Sequence, residues 1–363
     1  MRLLFITNIP SPYRVDFFNE LGKHCDLTVI FETGFSDERD SSWKSNRFES
    51  FRAVVLNGKK VATDRAFSPA VLKHLKKKGF DKIIVSNIAS PTGILAVLYM
   101  RLLRISYWVE GDGALSKTAS NKLKAFIKRF IISNAQGCFS TSKLHDEYYL
   151  DNGAEQGRIF RYPFTSVFEK EVLEKPLSFK EKAEIKNKLS ISEKYAVLAV
   201  GQFIPRKGFD ILVEAAKGFD DIGFYIVGGT PPEEYINLAN GRNNIHFLGF
   251  MQKEQLSDYY LAADLFVLPT REDIWGLVIN EAMAKGLPII TTDKCGAGVE
   301  LVNDSNGRLI PADSAEALEN AIRDILGSED GLMQMSTASV ERIRAYTIEQ
   351  MAIEHINVLN KMV

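Results

Sequence analysis

Short apolar runs alternate with amphipathic stretches along most of this chain. In the first half, residues 3–7, 27–31, 82–86, 106–109 and 137–140 read as strands. Between them, 13–22, 69–78, 93–103 and 122–133 carry apolar positions at helical spacing. Strand, helix, strand in this rhythm predicts βαβ units and a parallel sheet. The rhythm breaks at the charge-rich stretch 169–188, where a helix is expected over 178–189. It then restarts. Strands are expected at 196–200, 223–227, 245–248, 265–268 and 288–291, and helices at 209–217, 252–262 and 277–285. Helices over 315–326 and 333–359, the second broken near 345–347, close the pattern.

The expected architecture is therefore α/β, with two doubly wound, Rossmann-like domains facing each other across a cleft. Residues 1–165 form the first and 191–346 the second, with 166–190 as linker. In open parallel sheets ligands bind beyond the carboxyl ends of the strands, so the cleft is the expected active site.

Composition narrows the class. The 363 residues are 45% hydrophobic and 25% charged, which excludes a disordered or collagen-like chain. The longest apolar run, 93–100, has eight residues and ends at Arg101 and Arg104, too short to span a bilayer. Three scattered cysteines form no disulfide framework, so a cytoplasmic location is the expectation. Charge is uneven. Residues 1–164 hold 25 Lys and Arg against 16 Asp and Glu, a surplus of nine positives, leaving 20 against 30 in the remainder. The basic half is expected to meet something anionic. It lacks an interleaved aromatic platform, which argues against nucleic acid.

Several chemistries lack their signatures. No GxGxxG follows the first strand and no GxxxxGK[ST] occurs, disfavouring dinucleotide-dependent oxidoreduction and P-loop hydrolysis. No HExxH, GxSxG or DxD is present, so neither a bound metal nor any other cofactor is expected.

The informative stretch is 270–286. It follows an apolar strand and opens a helix. Asp273 and Glu281 lie eight positions apart. Gly276 permits close backbone approach, and the first amides of the helix, at Gly276, Leu277 and Val278, suit a phosphate. Glu281 can accept two hydrogen bonds from a vicinal diol, and Asp273 can do the same for a sugar. Asp273 could instead only cap the helix.

This segment resembles the signature of retaining glycosyltransferases of family 4, which have the GT-B fold. Two acids separated by seven residues precede Ala282-Met283-Ala284-Lys285-Gly286-Leu287-Pro288-Ile289-Ile290. The family's first acid is usually Glu, and here it is Asp273. Residues 200–208 resemble the family loop whose Arg and Lys neutralise the leaving diphosphate. Lys207 matches the Lys, Gln202 stands at the Arg position, and Arg206 supplies the second charge. The turn through Gly228 and Gly229, the strand end Phe247-Leu248-Gly249, and Gly298–Val302 with Asn306-Gly307 agree in order, so the resemblance covers 196–345.

The resemblance implies transfer of a sugar, with retention and without metal, from a nucleotide-diphosphate sugar (UDP- or GDP-) to a glycan or lipid-diphosphate-linked hydroxyl. It assigns Asp273, Glu281, Arg206 and Lys207 to catalysis. Gly201, Gly228, Phe247, Leu248, Gly249, Ile274, Trp275, Gly276 and Leu277 are assigned to the donor. In the first half, the turn holding Tyr13 and Arg14 resembles that of bacterial surface-polysaccharide enzymes. With Glu110 and Asp112 at a strand end, it is the candidate acceptor site. The last helix of such enzymes crosses back to the first domain, and 347–363 is the candidate here. A hydrolytic or non-catalytic nucleotide-sugar-binding protein on the same fold is the alternative.

One more feature bears on location. Residues 117–129 hold five cations and no acid, and Leu123, Phe126, Ile127, Phe130 and Ile131 share one helical face. Lys73, Lys76, Lys77, Lys78 and Lys82 add to the basic surface. A basic amphipathic helix suits an anionic membrane, giving a peripheral enzyme on the inner face, although an ordinary core-packed helix has the same pattern.

Overall fold

Alternation of strand and helix sets the architecture. In the computed structural model, which describes residues 1–34, 48–62, 65–76, 79–114 and 122–361, the chain divides into two compact units. Residues 1–166 with 347–363 make the first, and 167–346 the second. Lys77, Lys78 and Lys117 lie outside the described residues.

The first unit runs β1 (Arg2–Thr7), α1 (Pro12–Leu21), β2 (Asp26–Phe31), β3 (Arg52–Val55), β4 (Lys59–Ala62), β5 (Arg65–Phe67), β6 (Lys82–Val85) and α2 (Pro91–Leu102). It continues with β7 (Trp108–Glu110), α3 (Lys122–Ser133), β8 (Gly137–Ser140), α4 (Lys143–Asp151) and β9 (Ile159–Arg161). Seven parallel strands lie in the order β3-β2-β1-β6-β7-β8-β9, with β4 and β5 as a separate hairpin. The stretch 69–78, expected as an α-helix, is a 3-10 segment, Pro69–His74. Only Val71 in it is buried, so no apolar stripe supports longer α-helical turns.

The second unit follows the same logic. It comprises α5 (Phe179–Lys188), β10 (Tyr195–Val200), α6 (Phe209–Ala216), β11 (Ile222–Val227), α7 (Glu233–Ala239), β12 (Ile245–Leu248), α8 (Lys253–Ala262) and β13 (Leu265–Leu268). After these come α9 (Leu277–Ala284), β14 (Ile289–Thr292), α10 (Gly296–Leu301), β15 (Gly307–Ile310), α11 (Ala315–Leu326) and α12 (Glu329–Ile343). The parallel sheet runs β12-β11-β10-β13-β14-β15. Strand order reverses between β10 and β13, so the loops after these two strands flank the switch point of the sheet. The final helix, α13 (Ile348–Lys361), packs on α1 in the first unit.

The stretch expected as a linker, 166–190, is folded into the second unit from Val167 onward. Its helix α5 begins with a capping box between Ser178 and Glu181. Lys186 Nζ lies 2.6 Å from Asp264 Oδ2, and Lys182 Nζ donates to the Ala263 carbonyl at 2.6 Å. Both lysines are buried, which explains why a charge-rich stretch is core rather than tether.

Burial pulls the Lys182 ammonium down to about 8, against the pull of Asp264. The unfolded chain holds that proton up to about 10.4, so unfolding takes up a proton between these values and stability rises with pH there. Wild type is expected to gain stability relative to Lys182→Met between pH 8 and 10 in urea titrations. Parallel curves for the two proteins would refute this.

Candidate functional site

Two loops at the switch point carry the chemistry. The loop after β10 turns at Gly201, in the left-handed region at φ 156°, and passes through the 3-10 turn Pro205–Lys207. The loop after β13 runs from Pro269 to Gly276. They are stitched together by Thr270 Oγ1 donating to the Arg206 carbonyl at 2.7 Å and by Arg271 N–H donating to the same carbonyl at 2.8 Å. The Arg271 guanidinium grips Asp210 with two bonds, of 2.8 and 2.6 Å, and Pro205 O at 2.5 Å. At Gly208, φ 68°, a Cβ would come within 2.0 Å of Pro269 O, so only glycine lets the loops approach.

This stitching places Lys207 Nζ 2.6 Å from Asp273 Oδ2. Both side chains are about nine-tenths buried, so the pair is largely shielded from water. Arg206 reaches the same oxygen at 3.8 Å while half exposed, and donates to the Glu272 carbonyl at 3.2 Å. Asp273 does not cap α9. The cap is Gly276, at φ 98°, where a Cβ would meet Cys295 Sγ at 2.9 Å. The Asp273 backbone instead forms a bridge with Cys295, donating to Lys294 O and accepting from Gly296 N. α9 begins at Leu277, and its first-turn amides point out of the helix end beside this pair.

Glu281 lies one turn further into α9. Its Oε2 accepts from the Tyr260 hydroxyl at 3.1 Å. Burial and the Glu281 charge push that hydroxyl well above its ordinary pKa, so it stays a donor. Glu281 lines a pocket of about 210 Å³ with Tyr260, Lys253, Ser257, Lys285 and Val167. Ile274 is exposed, but Trp275 is only 2% exposed. Its Nε1 donates to Asn280 Oδ1 at 2.8 Å, so this ring packs inside the unit instead of facing a donor.

The remaining donor candidates sit at neighbouring strand ends. Gly228 follows β11, where a Cβ would fall 1.8 Å from Gly201 O, so these two turns fit only as glycines. Gly228 N–H donates to Leu248 O at 3.2 Å. Phe247 packs edge-on to Phe203 at 5.8 Å; at this strand end Phe247 and Leu248 are half-buried and Gly249 is exposed.

The first unit holds a different constellation. Arg14, 3% exposed, is enclosed by the rings of Phe5, Tyr13, Phe17 and Phe164. Its guanidinium pairs with Glu110 Oε1 at 2.5 Å and with Asp112 Oδ1. Glu110 also accepts from Tyr162 at 3.3 Å and lies 3.3 Å from His355 Nε2 on α13. Burial pushes the Glu110 carboxyl up, but Arg14 and His355 overcome it and hold it at about 2. Arg14 and Glu110 are therefore paired with each other inside the unit. Asp112, partly exposed and accepting from Tyr13 at 2.6 Å, is the open end of this network.

Sequence reading missed Thr270, Arg271, Asp210, Tyr260, Tyr162 and His355. Most of these act across long separations that no local pattern reveals. His355 had a local signal, being spaced by four from Met351 and Leu359 on the buried face of the last helix.

The two-unit α/β fold is that of the GT-B glycosyltransferases. The chain superposes on Anabaena Alr3699/HepE, solved in complex with UDP, with a TM-score of 0.81 at 15% identity, covering 99% of this chain and 100% of that one. Residues 181–342, most of the second unit, match the family model of glycosyl transferases group 1. The GDP-mannose-dependent alpha-(1-6)-phosphatidylinositol monomannoside mannosyltransferase of Mycobacterium tuberculosis is 28% identical over 179 residues, 45% of this chain and 46% of that one. The putative teichuronic acid biosynthesis glycosyltransferase TuaC of Bacillus subtilis is 27% identical over 278 residues, 75% and 68% of the two chains. The chain spans about half the length of the first curated relatives it matches.

Proposed function

We propose that this protein moves a sugar, with retention of configuration, from a nucleotide-diphosphate sugar to a hydroxyl of a glycan or lipid-linked acceptor in cell-surface polysaccharide synthesis. The observation that carries the reading is the Lys207–Asp273 pair at the switch point, beside the N-terminus of α9 and one loop away from Glu281. In this reading Glu281 receives the ribose diol. The first amides of α9, Lys207 and Arg206 receive the diphosphate, and Asp273 turns to a donor-sugar hydroxyl. The relatives' names, which include a GDP-mannose-dependent enzyme, and the UDP bound by Alr3699/HepE agree with such a donor.

As the bond from the anomeric carbon to the phosphate oxygen breaks, negative charge grows on the diphosphate. Fixed amides and two cations stabilise it without a metal. The acceptor hydroxyl bonds to the anomeric carbon from the same face. Its proton passes to the departing phosphate oxygen, so no carboxylate need form a covalent intermediate.

The test is thermal shift and transfer across UDP-, GDP- and ADP-sugars, with wild type beside Glu281→Ala and Glu281→Gln. One donor is expected to stabilise wild type. Loss of the diol contacts, each worth about 1.5–3 kcal/mol with a charged acceptor, is expected to weaken it at least tenfold in Glu281→Ala. No shift with any nucleotide sugar would sink the reading. Release of free sugar without transfer to any acceptor would favour the hydrolytic alternative.

A further inference from the structure

The apolar stripe of α3 is not used up by the core. At 100° per residue, Leu123, Phe126, Ile127, Phe130 and Ile131 share one face. The core takes Ile131 and Ile132 at the carboxyl end of the helix. At its amino end Leu123 and Phe126 stay 65% and 67% exposed, flanked by the exposed Lys122, Lys124 and Arg129. An ordinary core-packed helix would have hidden these two side chains and left only polar ones outside.

The neighbouring crossover helix repeats the pattern. α2 and α3 connect β6, β7 and β8, which are consecutive in the sheet, so right-handed crossovers put both helices on one side. Both feed the same apolar core cluster. On α2, Leu98 and Leu102 are exposed, the latter at 79%, next to the exposed Arg101. Neither helix contains an acidic residue.

We propose that the outer faces of α2 and α3 together form a docking surface for an anionic lipid bilayer. Exposed apolar side chains ringed by cations, with no acid on either helix, match a headgroup region lying over hydrocarbon. A second copy of this chain would bring cations against cations and is disfavoured on that ground. α3 starts at the end of the sheet where β7 delivers Glu110 and Asp112. A bilayer held there would present a lipid-linked acceptor to the side of the unit that carries Asp112. The inference extends the lipid-linked acceptor of the reading above, and it stands or falls separately from the donor site.

The experiment is vesicle flotation of the full chain with phosphatidylcholine alone and with phosphatidylcholine containing phosphatidylglycerol. Wild type is compared with L123S/F126S and with K122Q/K124Q. Wild type is expected to bind the anionic vesicles at least tenfold more tightly than the neutral ones. Each lysine removed is expected to weaken binding about fivefold, and L123S/F126S at least tenfold. All four positions lie outside the core, so the melting temperature and the nucleotide-sugar thermal shift should stay at wild-type values. Equal binding to both vesicle types, or unchanged binding by L123S/F126S, overturns the proposal. So does a concentration-dependent dimer, seen by sedimentation, that L123S/F126S abolishes. Loss of the nucleotide shift in wild type would count against the donor reading alone.

Discussion

Lys207→Ala is expected to lower the turnover number of sugar transfer by about 100- to 1000-fold, the usual loss when one fixed donor to a developing negative charge is removed. The ammonium is held ready before any substrate arrives, 2.6 Å from Asp273 and largely out of water. Removal of the charge leaves the half-exposed Arg206 as the nearer cation, and a solvated guanidinium is a weaker substitute. Arg206→Ala should therefore cost markedly less than Lys207→Ala. Steady-state kinetics with the donor identified by thermal shift decide the matter. A Lys207→Ala enzyme with wild-type turnover would remove Lys207 from the mechanism.

The second large effect concerns folding of the first unit. Breaking a buried, hydrogen-bonded ion pair from one side strands the other charge, at a cost of about 3–5 kcal/mol. Arg14→Met strands Glu110 and is expected to lose that much. The double variant Arg14→Met/Glu110→Gln should recover part of it, because no bare charge remains. The network also sets the acid limit of the fold. Glu110 sits at about 2 in the folded chain against an ordinary 4.5. Its contribution is therefore complete above the unfolded value and is lost as pH falls through the folded one. Scanning calorimetry in steps from pH 5 to pH 2 should show a steeper decline for wild type than for Glu110→Gln. Identical slopes would mean that the carboxylate does not carry the acid sensitivity.

Much of this fold was legible because buried parallel strands are short apolar runs. The segments 137–140, 245–248 and 265–268 match strands β8, β12 and β13 to the residue. β3, β4, β5, β9 and β15 carried no such signal: each is three or four residues long, and among them only Ala66, Gly307 and Ile310 are buried. α4 and α7 are short and weakly striped, and escaped for a similar reason. At the candidate site, Asp273, Lys207, Gly276 and Glu281 were legible because neighbours along the chain define them. Arg271 with Asp210, 61 positions apart, was not. Arg14 was read as open to an acceptor because its sequence shows a cation near a turn. The two carboxylates that occupy it arrive about 100 positions later.

The place of α13 has a consequence for biosynthesis. The second unit is continuous, 167–346, and has all its residues in hand before α13 is made. The first unit does not. Its sheet can assemble early, but Glu110 and Phe17 wait for His355, which is translated some 190 positions after the last strand of that sheet. At ordinary elongation rates of about 5–20 residues per second, that is an interval on the order of ten seconds or more. Throughout it the Arg14–Glu110 cluster lacks one wall. The N-terminal unit of this chain, although first to leave the ribosome, is thus the last to be sealed.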